Sequence, residues 1–191
     1  MATQQLVLVR HGETEWSKEG RHTGTTDIPL TDTGRKEARN LGPALSAWSF
    51  ALVLSSPLQR ARDTCRLAGY GDRAQLRPDL VEWDYGSYDG KTSKQIQTMN
   101  PGWALWSDGG PGGEKAADVG RRVDRIIAEV RSTDGDVLAF AHGHVLRVLA
   151  ARWLGKPPED GRYYALDTAG LSVLAYEHGD PVIRRWNQPP S

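Results

Sequence analysis

Short Val- and Leu-rich runs alternating with helical patterns predict an α/β fold on a largely parallel sheet. Three observations carry this expectation. The runs at residues 6–9, 51–54, 137–141 and 171–176 are almost continuously apolar, as strands covered on both faces are. Helical stretches lie between them. No internal repeat, charge block or Pro/Ser linker divides the 191 residues, and at roughly 150 residues per domain that predicts one domain over 1–191.

In chain order, the first strand is residues 6–9. A helix follows over 34–48, opened by the cap-like Thr31-Asp32-Thr33, and Pro43 is expected to kink or break it. The strand at 51–54 precedes a helix over 58–67 that starts just after Pro57. Residues 85–111, with the run Gly109-Gly110-Pro111-Gly112-Gly113 at their end, read as a helical insertion and loop over one end of the sheet. The next helix, 116–131, places Val119, Val123, Ile126, Ile127 and Val130 on one face. A strand at 137–141, a helix at 145–154, and strands at 171–176 and 182–186 complete the chain. Trp48 and Trp153 read as core. Trp103 and Trp106 are equally compatible with core packing and with the mouth of a site.

Composition narrows the function. Lys plus Arg and Asp plus Glu are both 24, so the net charge is zero. A general nucleic-acid binder or polybasic membrane module needs a positive excess, so neither nucleic acid nor membrane is expected as a partner. Nor does any run approach the 18 apolar residues of a membrane span. The N-terminus, Met1-Ala2-Thr3-Gln4-Gln5, has no signal-peptide pattern. The single cysteine, Cys65, forms no intrachain disulfide and fits a reducing, cytoplasmic setting; on its helix it reads as buried packing.

The informative pattern is where the strands stop. The first ends in Arg10-His11-Gly12-Glu13-Thr14, the second in Ser55-Ser56-Pro57-Leu58-Gln59-Arg60, and the third in His142-Gly143-His144. In an open parallel sheet the ligand crevice lies at the carboxyl ends of the strands, and helix N-termini there favour anions. A lone His at a strand end is more often structural, and a lone Arg more often a surface charge. Two Arg and two His delivered to one rim point instead to phosphate, through forked donors and an imidazole nucleophile. One decoy is set aside. Gly86-Ser87-Tyr88-Asp89-Gly90-Lys91-Thr92 has three residues between its glycines where a P-loop needs four.

The segment Leu8-Val9-Arg10-His11-Gly12-Glu13-Thr14 resembles the signature of the histidine phosphatase superfamily, the phosphoglycerate mutase-like family. Further similar blocks follow in family order: Gly20-Arg21-His22-Thr23-Gly24, Asp27-Ile28-Pro29-Leu30-Thr31, Gly34-Arg35-Lys36-Glu37-Ala38, Ser55 to Thr64, Glu82 to Gly90, Gly113-Glu114 and Ala141-His142-Gly143-His144. The resemblance implies a three-layer αβα fold with a mostly parallel sheet and a short cap insertion at about 85–115. It implies His11 as nucleophile through a phosphohistidine, Arg10 and Arg60 as clamps on the phosphoryl oxygens, and a protonated His142 on the same group. Glu82 matches the proton donor, with Trp83 and Tyr85 expected to desolvate it and raise its pKa.

Ser17 stands where many relatives carry a phosphate-contacting Asn. Thr23 and Gly24 match a substrate-contacting pair. The Gly143 N–H is a candidate oxyanion donor, and His22 a substrate contact. His22, His142 and His144 are not expected to hold a metal, because the implied chemistry needs no metal or other cofactor.

The expectation is a metal-independent phosphatase acting on a small phosphorylated metabolite, such as a sugar phosphate or a phosphoglycerate-like ester. The alternatives are a cofactor-dependent phosphoglycerate mutase and an inactive phosphate-binding module. Glu82 and His142 lie 60 positions apart, whereas the mutases carry a longer insertion there that helps exclude water. The spacing therefore favours hydrolysis. A homodimer is compatible with the sequence, which does not address oligomeric state.

Overall fold

The computed structural model describes residues 4–190; Met1 to Thr3, on which part of the N-terminal reading rests, and Ser191 lie outside them. Six strands form one sheet in the order β3-β2-β4-β1-β5-β6. They are β1 (Leu6–Arg10), β2 (Phe50–Ser55), β3 (Ala74–Leu76), β4 (Asp136–Ala141), β5 (Leu171–Glu177) and β6 (Asp180–Gln188). The first four pair in parallel, while β5 and β6 close one side antiparallel. The α/β class and the mostly parallel sheet are as expected.

Period-two alternation explains the layers. Val7, Val9, Leu138 and Phe140 pack with Leu41, Leu45 and Cys65 from α2 (Asp32–Leu45) and α3 (Gln59–Leu67), which follow α1 (Glu15–Lys18). The alternate residues Leu6, Leu8, Val137 and Ala139 pack on the opposite face. Their partners include Val123, Ile126, Val145 and Trp153 from α6 (Ala116–Ser132) and α7 (Gly143–Trp153). Between the two halves, residues 85–115 carry α4 (Ser93–Met99), α5 (Leu105–Asp108) and a 3-10 turn at Gly86–Tyr88. Ile96, Trp103 and Leu105 of this segment are buried in the core shared with α6 and α7.

Four details differ from the sequence reading. Strand β3 was not expected; its three residues carry too little apolar signal. Pro43 sits inside α2 without breaking it, three residues before the cap at Ser46, where a missing N–H costs only one bond; the helix then ends at Leu45 rather than at 48. Trp48 is consequently outside the helix, half-buried and stacked on Phe50. Helix α7 starts two residues early, at Gly143. Among the described residues no helix is long and apolar enough to cross a membrane.

The topology makes the crevice. From β1 the chain builds β2 and β3 on one side, then returns through α6 to insert β4 between β2 and β1. The carboxyl ends of β1, β4 and β2 thus lie side by side where the direction of winding reverses, the usual position of an α/β ligand site.

Candidate active site

His11, Ser56 and His142 each stand one residue beyond a strand, on β1, β2 and β4. The sheet ladder runs on to hold the first two, with His11 N donating to Ala141 O and Ser56 N to Phe140 O, both at 2.9 Å. Beyond His11 the chain turns tightly against α2. A Cβ on Gly34 would overlap the Glu13 carbonyl, so the first turn of α2 comes this close only as glycine. Gly12 N donates to Thr64 Oγ1 on α3 (3.0 Å), which fixes the turn from the other side.

The His11 ring is defined by what it touches. Nδ1 lies 2.7 Å from the Gly12 carbonyl oxygen, which can only accept, so Nδ1 carries the proton and Nε2 is bare. Burial, then the Arg60 and Arg10 charges, hold the imidazole well below the usual histidine range. The ring is therefore neutral, with its lone pair on Nε2, beside a cavity of about 180 Å3. Arg10 lines the same cavity. Its Nη1 donates to Leu166 O (2.5 Å), while its buried Nε has no partner among the described residues. Gly143 lies against that guanidinium; a Cβ there would stand 3.4 Å from Arg10 Nε, and the Gly143 N–H meets no acceptor among the described residues.

Arg60 and His142 stand behind this surface, both completely buried. Arg60 donates from Nε to His142 Nδ1 (3.0 Å), and from its terminal nitrogens to the carbonyls of Thr23, Gly24 and Thr26. Because Nδ1 of His142 accepts, the proton sits on Nε2 and is given to Ser56 Oγ at 2.8 Å. Burial, followed by Arg60, His11 and Arg10, keeps this ring well below the usual range. The expectation of a protonated His142 is corrected accordingly: a buried imidazole accepting from an arginine has no room for a second charge.

Glu82 lines the cavity on the opposite flank and is 5% exposed. Its Oε1 accepts from Trp83 N (2.9 Å) and Val145 N (2.8 Å), and its Oε2 from His144 N (2.9 Å). The carboxylate thus caps α7, whose own cap residue His142 makes no side-chain cap bond. Glu82 is buried, and amide donors surround its oxygens. The loop bearing Glu82 is pinned from below. Arg122 donates to the carbonyls of Asp79, Val81 and Glu82 and pairs with Glu114 at 2.8 Å, while Glu114 Oε2 accepts from Asp84 N. A Cβ on Gly110 would overlap the Tyr85 carbonyl, which accounts for part of the glycine-rich run.

The remaining expected residues divide. His22 and Thr23 line the cavity, whereas Gly24 is buried beneath it, giving its N–H to Asp89 at 2.7 Å. Ser17 also lines it, but its hydroxyl is committed to capping α1, accepting from Thr14 N and donating to Thr14 O, both at 2.9 Å. A substitute for a phosphate-contacting Asn would need that donor free. Trp103 and Trp106 do not line the cavity; they pack edge-on against His22 and His144. Cys65 is buried with its thiol pushed up to about 12. Among the described residues no three His, Cys, Asp or Glu side chains are grouped as metal ligands would be. Sequence reasoning missed Arg147, which lines the cavity, although its place four residues after Gly143 on the same helix puts both on one face.

Comparison with known proteins follows the same outline. The sequence profile of the histidine phosphatase superfamily (branch 1) matches residues 6–189. An acid phosphatase of Mycobacterium tuberculosis is 41% identical over 179 residues, 92% of this chain and 88% of its own. A sedoheptulose 1,7-bisphosphatase of Saccharomyces cerevisiae is 35% identical, covering 92% of this chain and 89% of its own. The solved structure of an open-reading-frame product of Mycobacterium tuberculosis superposes with a TM-score of 0.94 at 38% identity, covering 100% of both chains.

Proposed function

Because this chain belongs to the histidine phosphatase superfamily and is a phosphoric monoester hydrolase, we propose that it hydrolyses small phosphomonoesters, sugar phosphates or phosphoglycerate-like esters, through a phosphohistidine on His11 and without a metal. The observation that carries the reading is the tautomer of His11. Fixing Nδ1–H on the Gly12 carbonyl presents Nε2 as a neutral nucleophile beside the partnerless Nε of Arg10 and the N–H of Gly143. Those two donors receive non-bridging oxygens of the phosphoryl group. Arg60 and His142 act from behind; burial keeps His11 deprotonated, and the Arg60 charge adds to it.

In the first step Nε2 bonds to phosphorus and the bond to the ester oxygen breaks. The electron pair leaves on that oxygen, which takes a proton from Glu82. Oε2, with one amide donor against two on Oε1, is the oxygen with a lone pair to spare for that proton. In the second step water gives a proton back to Oε2 while its oxygen displaces Nε2.

The test is turnover of an aryl phosphate in the presence of a chelator, combined with acid quench and alkaline quench of the enzyme. We expect turnover to persist and an acid-labile, alkali-stable phosphoenzyme to form. His11→Asn should abolish the phosphoenzyme and cut kcat by at least about 10^3-fold. Loss of activity to chelator would overturn the metal-free reading, and a phosphoenzyme that survives His11→Asn would overturn the nucleophile. Conversion of 3-phosphoglycerate to its 2-isomer in the presence of bisphosphoglycerate would instead favour a mutase.

A further inference from the structure

The cavity is lined by an arginine that the phosphoryl position does not use. Among the described residues that line it, Glu82 is the one carboxylate, and three backbone amides donate to it. Arg21 is already paired with Glu19 at 2.5 Å. Arg147 is different. Half-buried, it makes no ion pair among the described residues. Its guanidinium lies 4.8 Å over the Trp106 ring, with Nε donating to Gly161 O and one terminal nitrogen to Arg162 O, both at 3.0 Å. Two bonds and a ring face hold the group rigidly, and the other terminal nitrogen has no partner among the described residues. An arginine held without a counter-ion in a cavity is poised for an anion.

Helix geometry places that anion. Gly143 and Arg147 are four residues apart on α7, so they share a face and lie about 6 Å apart along the axis. Gly143 is at the phosphoryl position, against Arg10. His144, the residue after Gly143, also lines the cavity. Its Nδ1 shares a hydrogen bond of 2.6 Å with the Tyr85 hydroxyl, which burial holds far above the usual phenol range. Burial, then the Arg147 charge, keeps the His144 ring neutral, so it brings no charge of its own to this wall.

We propose that Arg147, beside His144, forms a second anion subsite about one helical turn from the phosphoryl position, and that the preferred substrates carry a second anionic group, a carboxylate or another phosphate. The inference rests on the phosphatase reading and narrows its substrate class.

Matched pairs test it. The pairs 3-phosphoglycerate with glycerol 3-phosphate, and glucose 1,6-bisphosphate with glucose 6-phosphate, differ mainly in the second anion. An aryl phosphate serves as reference. We expect kcat/KM to favour at least one doubly anionic member by about 10- to 100-fold, the range for a charge-assisted hydrogen bond. Whichever pair shows the preference identifies carboxylate or phosphate as the occupant. In Arg147→Gln the ratio should fall towards 1, and Arg147→Lys should restore part of it. A wild-type ratio near 1 in both pairs overturns the subsite even if the variants do not fold, as does a preference that survives Arg147→Gln. Absence of turnover with the aryl phosphate as well overturns the phosphatase reading and this inference with it; turnover without preference overturns the subsite alone.

Discussion

His11, Ser56 and His142 form a floor whose backbone is fixed by the sheet, whereas Glu82, Tyr85 and His22 form a flank of irregular chain fixed by side chains. On the floor, β1 and β2 each extend their ladder with β4 by one residue, and the rings that follow are buried and neutral, His11 held by the Gly12 carbonyl and His142 by Arg60 and Ser56. On the flank, three carbonyls of the Glu82 loop converge on Arg122, and Asp89 gathers the N–H groups of Gly24 and Thr26. The contrast teaches that the two sides should fail in different ways. The floor has little to lose from a single surface change and much to lose from a proton. The flank hangs on individual side chains.

Acid should therefore have the largest effect. His11, His142 and His144 are held well below the usual histidine value of 6.5 in the folded chain, mainly by burial. The unfolded chain takes up protons near that value while the folded one does not, so stability present above about pH 6.5 is lost as pH falls below it. Each ring contributes a loss of up to about 1.4 kcal/mol per pH unit until its folded pKa is reached. Urea denaturation between pH 7.5 and 5 checks this. Stability that stays level over that range would mean the floor histidines titrate freely, and the distinction between floor and flank would collapse.

Removing Arg122 attacks the flank alone. Arg122 is 9% exposed and bridges Glu114 to the loop of Glu82. Breaking a buried pair from one side costs about 3–5 kcal/mol, so Arg122→Met should lower the urea midpoint strongly. In the fraction still folded, kcat should fall as Glu82 loses its position, while inhibition by inorganic phosphate, a property of the floor, is retained. If kcat and phosphate inhibition decline together, the two sides are one mechanical unit.

The floor was also the more legible side. Arg10-His11-Gly12, Arg60 and His142-Gly143 announce themselves at strand ends, and strand ends at a parallel edge converge by topology alone. What spacing cannot supply is the direction of each hydrogen bond. That Arg60 gives its Nε proton to His142, leaving a neutral ring, depends on rotamers rather than on order along the chain. Strand β3 escaped notice because three residues, one of them Gln75, make no periodic signal, and its stability comes from pairing with β2. The flank was legible only by resemblance. Glu114 and Arg122 lie eight residues apart across a loop and a helix, and nothing in that spacing says they meet.

Ser17 gives the smallest and most discriminating test, because sequence and structure assign it to opposite sides. The resemblance places it with the phosphate contacts of the floor. In the structure its hydroxyl completes the capping box of α1, reciprocating Thr14, whose Oγ1 accepts from Ser17 N at 3.1 Å. Loss of such a reciprocal contact from a four-residue helix costs about 0.5–1 kcal/mol. Ser17→Ala should thus lower the urea midpoint slightly, and any change in KM should follow that loosening and be reversed by stabilising conditions such as high sulfate-free osmolyte. A rise in KM of tenfold with an unchanged midpoint would return Ser17 to the floor. In that case its hydroxyl must leave Thr14 to meet the phosphoryl group, and the beginning of α1 would reorganise each time substrate binds.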